Sequence, residues 1–377
     1  MRVKLSKTTF SSAEFKVASS VLKTGWLTHG EYNKKFENLF KKFTKTKYAL
    51  TLNSCTSALE LAIKCQNITK EVIVPSFTWV SSANAIITSG AKPVFCDSDY
   101  KTRNVTLKNI KPLVNKNTQA VMVVHYGGQC CEMDKIYEFC KKKKIKIIED
   151  SAETLGGTWK NKHPGYWGVG CFSFFPTKNI TTAEGGMITC NSKELYLKFK
   201  AMAAHGILSQ SYDREKKKIL PWYKYAVIAG HNYRMSNMLA AIGYEQLKKI
   251  KKLNNHRIKV AKKYNLLFKK NKIPVQQPFV NKKAKHVYQT YAINVDEKIR
   301  NDLILFLRKK GVEASVHFTP VLHEQKYFRK YLPKYQKLPI ASKLSKTLVS
   351  LPMHSNIKDR EIEYVCDCLK KYFKLTR

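Results

Sequence analysis

The sequence predicts an α/β protein: a mostly parallel central sheet with helices on both faces, followed by a smaller C-terminal α+β domain. Three observations predict it. Short apolar, β-branched runs alternate with amphipathic stretches through the first half of the chain, the pattern of successive βαβ units. The run IKII at 145–148 is bounded by charge and leads to Asp150, as expected of an interior parallel strand. After Asn237 the order changes to a long helix, then strand, helix, strand and helix.

The elements follow in order. Residues 7–24 place Phe15, Val17, Ala18, Val21 and Leu22 at helical spacing. GWLTHG, 25–30, is a glycine-bounded turn carrying Trp26. A second amphipathic helix over 31–46 aligns Phe36, Leu39, Phe40 and Phe43. Strands are expected at 48–52, 71–76, 93–97 and 120–125, and helices at 57–64, 79–89 and 132–143. A strand ends on Asp150, and a second buried strand delivers Lys178 into a polar loop. Lysine-rich, less patterned sequence spans 206–230. One long helix is expected from Asn237 to about Phe268, then a proline-bounded break at 274–278. A strand at 286–295, a helix at 298–310, a strand at 312–318 and a helix at 357–373 complete the chain. This divides it into residues 1–30, a large domain over 31–250, and a small domain over 251–377.

Composition bounds the function. The chain has 377 residues and 44% hydrophobic content, enough for a large core. The start, MRVKLSKTTF, has no apolar centre and does not read as a signal peptide; no run approaches the ~20 apolar residues of a membrane span. The ten cysteines show no CxxC pair and no Cys/His metal spacing, which suits reduced thiols in a cytoplasmic protein and no bound metal. The net charge of +42 comes from 59 Lys and only 10 Arg. Nucleic-acid readers lean on arginine for bidentate contacts. Lysine here is dispersed, with short runs at 141–144 and 216–218, and Lys, Ile and Asn share A/T-only codons. Genome composition is sufficient to account for the charge, with a polyanion-binding role as the other reading, and no nucleic-acid partner is expected.

Two residues suggest a chemistry. Pyridoxal phosphate (PLP) needs a lysine that holds its aldehyde as a Schiff base and a carboxylate facing its pyridine nitrogen. Asp150 sits at the carboxyl end of a strand, where ligands of open α/β sheets bind, and Lys178 follows on the next strand. On spacing alone, Asp150 equally caps a helix and Lys178 equally lies on the surface. Four more stretches bear on the choice. NSCTSAL, 53–59, runs from a strand into a helix start, which is either a phosphate site or an ordinary N-cap. Trp79 follows a strand and either stacks on a ring or fills the core. Ser173, five residues before Lys178, reaches toward a phosphate. Asn232 and Arg234 precede a buried helix and are polar where apolar residues are expected.

In motif order, the sequence resembles the DegT/DnrJ/EryC1/StrS family of PLP-dependent nucleotide-sugar aminotransferases, of the aspartate-aminotransferase-like fold type I. NSCTSALELA, VIVPSFTWVSSANAI, VHYGGQCCEMDKI, EDSAE, SFFPTKNITTAEGGM, HNYRMSNMLAAIGYEQL, VHFTPVLH and LVSLPMH carry the resemblance over nearly the whole chain. It implies that Lys178 and Asp150 are catalytic, and that Thr56, Ser57 and Ser173 hold the phosphate with Asn232 of a neighbouring subunit in a homodimer. It implies Trp79 on the ring and Glu153 near the phenolic oxygen. Trp26, Thr28, Arg234, His317 and His323 fall at substrate positions; His317 reads equally as a core histidine. Three residues depart from the family pattern: Cys55 and Ala183 stand at usual glycines, and Glu153 at a frequent glutamine or histidine.

The resemblance implies amino transfer from L-glutamate to C4 of a nucleotide-linked 4-keto-6-deoxyhexose, with pyridoxamine phosphate in the second half-reaction. Three alternatives stay open: a 3-keto-sugar aminotransferase, a deoxysugar dehydratase (whose members carry histidine in place of Lys178), and a polyanion-binding protein without catalysis.

Overall fold

The computed structural model describes residues 1–207, 222, 224–334 and 336–375. Most of the 206–230 stretch, with its lysine run at 216–218, lies outside the described residues.

Seven strands form the central sheet: β1 (Tyr48–Leu52), β2 (Glu71–Pro75), β3 (Lys92–Cys96), β4 (Thr118–Val124), β5 (Lys146–Asp150), β7 (Val169–Ser173) and β8 (Gly186–Cys190). The short β6 (Thr158–Trp159) pairs instead with β9 (Ala284–Lys285). The order across the sheet is β1-β8-β7-β5-β4-β2-β3. Only β8 runs against its neighbours; the β7–β5–β4–β2–β3 pairs are parallel. The period-2 alternation of strand side chains divides the core between two faces. Val72, Val74, Met122 and Ile148 join one cluster with α3 (Cys55–Lys64) and α4 (Val80–Thr88). Ile73, Val121, Val123 and Ile147 join another, shared with α5 (Leu107–Ile110) and α6 (Met133–Lys142). Each central strand is therefore apolar on both faces, as the IKII run requires.

The helices follow their patterning. α1 (Ser12–Thr24) starts later than residue 7, because Ser11 caps it: Ser11 N and Oγ both donate to Glu14. α2 (Glu31–Thr44) buries Phe36 and Phe40 fully, and Gly30 N donates to Asn33 Oδ1 at 2.8 Å to begin it. α7 (Lys193–Ala203), which the sequence reading had not singled out, packs beside β1.

The expected long helix is two, Asn237–Lys248 and Ile250–Lys270, broken at Lys249. Ser236 caps the first through Leu239 N. Beyond it, β10 (Tyr291–Asn294) and β11 (Leu348–Leu351) pair antiparallel. They pack with Ile250–Lys270 and the helices Glu297–Lys309 and Asp359–Leu375 in a separate core. Val3 from the N-terminus is sealed in that same core, bridged to Val312. The expected strand at 312–318 is a loop carrying single bridges at Val312 and Ser315, and the strand expected at 286–295 is confined to Tyr291–Asn294. Tyr288, Val312 and Ala314 are buried there in the C-terminal core without forming strand ladders. Helix Pro339–Thr347, which buries Ala341 and Leu344, is an element additional to those expected. Among the described residues no helix is long and apolar enough to cross a membrane.

Candidate active site

β1, β2, β4, β5 and β7 all end at one edge of the sheet, and β8 begins there, since Leu52 and Ser173 both pair with Gly186. The segments that follow or precede these ends therefore converge. They enclose a cavity of about 350 Å³ lined by Ser54, Cys55 and Thr56 after β1, Trp79 after β2, Asp150 and Glu153 after β5, and Ser173 and Lys178 after β7. His317 and Phe318 close it from the C-terminal region.

Asp150 is 5% exposed. Its Oδ2 accepts Ser82 Oγ–H at 2.8 Å, and its Oδ1 accepts Ala152 N–H at 3.2 Å. Thr78 Oγ1 lies 2.9 Å behind Ser82 Oγ and donates to it, because Ser82 has given its own proton to Asp150. Burial raises the Asp150 carboxyl above the usual range, while Ser82, Ala152 and Lys178 pull it back.

Glu149, its neighbour in β5, faces the other side. It is wholly buried, and Oε1 accepts N–H from Gly165, Trp167 and Gly168 at 2.9–3.1 Å. His125 Nδ1 accepts Cys131 N–H, so its Nε2–H donates to Glu149 Oε2 at 3.2 Å. This network braces the strand whose next residue is Asp150.

Lys178 rides on a closed loop. Phe174, fully buried, anchors it: Phe174 N donates to Gly185 O, and Phe174 O accepts Thr182 N–H and Thr181 Oγ–H. Lys178 N turns back on Phe175 O at 3.0 Å. Its Nζ reaches into the cavity, 3.5 Å from Glu153 Oε1.

The first turn of α3 forms the floor. Ser54 Oγ accepts Ser57 N–H at 3.1 Å, and the N–H groups of Cys55 and Thr56 have no intrahelical acceptor. Gly186 is what lets this turn approach: a Cβ there would press into the Ser54 carbonyl and Cys55 N. Thr56 and Ser173, whose Oγ accepts Phe175 N–H at 3.3 Å, line the cavity. Ser57 does not. Its hydroxyl donates to Asn53 Oδ1 at 2.7 Å and sits 2.9 Å from Ser54 Oγ, inside the cap. Trp79 is 62% exposed at the head of α4, its ring 6.5 Å from Phe318, so it is not a core residue.

The remaining candidates divide. His317 lines the cavity, with Nδ1 2.8 Å from Ser350 Oγ; burial lowers its pKa, with Glu153 opposing. His323 does not reach it. Its Nδ1 lies 2.7 Å from Ser76 Oγ and its Nε2 3.2 Å from Ser342 Oγ, a position that ties the Val321–Glu324 segment to the end of β2. Asn232 and Arg234 run beside the end of β1, where Asn53 N donates to Tyr233 O, but their side chains turn outward. Arg234 Nε donates to Asn232 Oδ1 at 3.1 Å, and its Nη2 meets His205 Nε2 at 3.1 Å. Trp26 Nε1 donates to His29 O, and Thr28 lies exposed in the same turn; neither lines the cavity of its own chain.

Sequence reasoning missed Ser82 and Thr78. Both lie in the stretch VPSFTWVSSANA that drew attention for Trp79. The signal was Ser82 one helical turn after the Trp79 cap position, on the face turned to the sheet.

The chain is similar to known proteins over nearly its whole length. The model of the DegT/DnrJ/EryC1/StrS aminotransferase family matches residues 9–370. The chain is 33% identical to the spore coat polysaccharide biosynthesis protein SpsC of Bacillus subtilis, covering 96% of this chain and 94% of that one. It is also 33% identical to GDP-perosamine synthase of Escherichia coli O157:H7, covering 96% and 95%. Among solved structures, Helicobacter pylori PseC, an aminotransferase involved in the biosynthesis of pseudoaminic acid, superposes over 100% of both chains with a TM-score of 0.90 and 28% identity. From residue 9 to residue 370, this chain belongs to the DegT/DnrJ/EryC1/StrS aminotransferase family.

Proposed function

We propose that the enzyme moves an amino group from L-glutamate to C4 of a nucleotide-linked 4-keto-6-deoxyhexose, with PLP held in the cavity described above. The observation that carries the reading is the meeting of Asp150 and Lys178 in one cavity from two separate strands.

The residues present fit the cofactor. Burial raises the Asp150 carboxyl, and a pyridinium beside it is the cation that would return it to its ionised form. The α3 start offers N–H groups and the positive end of a helix to a phosphate, with Thr56 and Ser173 hydroxyls on either side. The exposed Trp79 ring stands where a flat ring would be covered.

When bound, the cofactor supplies an aldehyde to take up the amino group and a ring that accepts electrons. Asp150 keeps a proton on the ring nitrogen. Lys178 would hold the cofactor between turnovers, and its freed amine would take the proton from the donor's Cα and return it to the cofactor carbon on the far side of the nitrogen. In the second half-reaction it works in reverse on the keto sugar. Glu153 would lie near the phenolic oxygen, and His317, which lines the cavity, would border the substrate.

Asn232 and Arg234, turned outward from their own cavity, serve the phosphate and substrate of a second copy, as does the Trp26–Thr28 turn for substrate. The working form is then a homodimer with shared sites, and residues 251–377 act as a small domain over a large one. A diphosphate carries two negative charges, and Arg234 answers one of them. The choice of C4 rests on NYRMSNMLAAIGYEQL, which resembles the 4-aminotransferases. Relatives named for GDP-perosamine and for a coat polysaccharide support a nucleotide-sugar acceptor.

The deciding experiment mixes protein, PLP and L-glutamate with matched 3-keto and 4-keto nucleotide sugars. Amination of the 4-keto sugar with release of 2-oxoglutarate is expected. Product from the 3-keto sugar alone would overturn the position, and dehydration without amino transfer would overturn the reaction class. Sedimentation checks the assembly: an active monomer contradicts the shared site.

A further inference from the structure

The ion-pair partner of Lys178 in the cavity, Glu153, has no part in the proton steps above. Lys178 Nζ stands 3.5 Å from Glu153 Oε1, and the two side chains are 17% and 7% exposed. Glu153 is fixed in place. Its Oε2 accepts Gly127 N–H at 2.8 Å, aimed there by the left-handed turn at Gly127, φ 64°. Among the described residues Oε1 has no hydrogen-bond partner but Lys178.

The charges facing the lysine nitrogen are lopsided. Asp150 adds a second carboxylate from β5, and Glu184 lines the cavity beside the start of β8. The other titratable neighbours are neutral: burial lowers His317, and burial with Asp150 nearby raises the Cys55 thiol. Among the described residues lining the cavity, Lys178 is the one cation. Asp150 is engaged by Ser82, Ala152 and, in the reading above, the ring nitrogen. Glu153 is left for the lysine.

We propose that Glu153 is a positioning residue for a proton: it keeps the nitrogen protonated while Lys178 is joined to the cofactor aldehyde. This rests on the reading of Lys178 under Proposed function. An opposite charge at this distance favours the charged form of the nitrogen. The protonated nitrogen draws electrons from the carbon it is bound to, and that carbon is where the donor amine must add. A neutral side chain at 153 would still hold Gly127 N–H, but it would leave the proton to be lost at lower pH.

The test reads the proton directly. Wild type, Glu153→Gln and Glu153→Asp are loaded with PLP, and the visible band of the lysine-bound cofactor is followed as pH is raised. The midpoint in Glu153→Gln should fall by about one pH unit or more, while Glu153→Asp keeps most of the wild-type value. Thermal unfolding of each chain checks that the fold is intact; if Glu153→Gln does not fold, Glu153→Ala is read in its place. A neutral variant whose midpoint stays within about 0.2 unit of wild type overturns the proposal. A wild type with no visible band at any pH, or borohydride that fixes the cofactor to Lys178→Ala as firmly as to wild type, overturns the cofactor reading itself and this proposal with it.

Discussion

Ser82 Oγ donates to Asp150 Oδ2 at 2.8 Å, joining the first turn of α4 to the end of β5 across the sheet edge. The bond favours the ionised carboxylate against the burial that opposes it. Ser82→Ala removes the donor and leaves burial unanswered on that oxygen, so the Asp150 carboxyl rises further. The acid limb of the kcat/KM profile should move to higher pH by about one unit, and Ser82→Thr should restore it. An unmoved acid limb would mean that the Asp150 charge does not depend on this bond.

Lys178→Ala should lower amino transfer by at least about 10³-fold, since both the covalent hold and the proton carrier are lost. The α3 turn, Trp79 and Asp150 remain, so the variant should still take up PLP without a covalent link. Equilibrium dialysis, and borohydride treatment that fails to fix label to the chain, check the two halves. Turnover near the wild-type rate would refute the role.

Buried histidines set an acid limit on stability. Burial holds His286 down to about 3, with Arg103 adding to the effect, and burial holds His354 down to about 4. Both are neutral in the folded chain while the unfolded chain binds protons below about 6.5. Their contribution is complete above that pH and is lost as pH falls toward 4 for His354 and toward 3 for His286. Each adds a slope of up to about 1.4 kcal/mol per pH unit in its window. Denaturant unfolding at stepped pH measures it. His286→Phe should flatten the curve below about pH 6.5, and an unchanged slope would count against the assignment.

Ala183 sits at φ 69° in the loop that carries Lys178, with its N–H on Thr181 Oγ1 at 3.0 Å. A left-handed alanine costs about 1–2 kcal/mol, partly offset by the chain entropy that glycine would lose. Ala183→Gly should therefore stabilise the protein by roughly 0.5–1 kcal/mol, a rise in Tm of about 1–2 °C by calorimetry. A fall in Tm would show that the methyl packs better than its backbone angle suggests.

The sequence by itself determined the sheet, because a strand buried on both faces must be a short apolar run, and β1, β2, β4 and β5 all read that way. It also determined Asp150 and Lys178, since a carboxylate at such a strand end and a lysine in the following loop are visible as residues. Local rhythm cannot report what a residue meets. The kink at Lys249, the loop at 312–318 and the turn of Ser57 into its own cap depend on partners far along the chain. The same holds for His317 and His323: two histidines in one short motif, of which one reaches the cavity and the other is held by Ser76 and Ser342. The tertiary structure also decided the pairing of Glu153 with Lys178 and of Ser82 with Asp150. Parallel strands bring residues 25 and 68 positions apart within hydrogen-bond reach at one edge, and no spacing in the sequence encodes that distance.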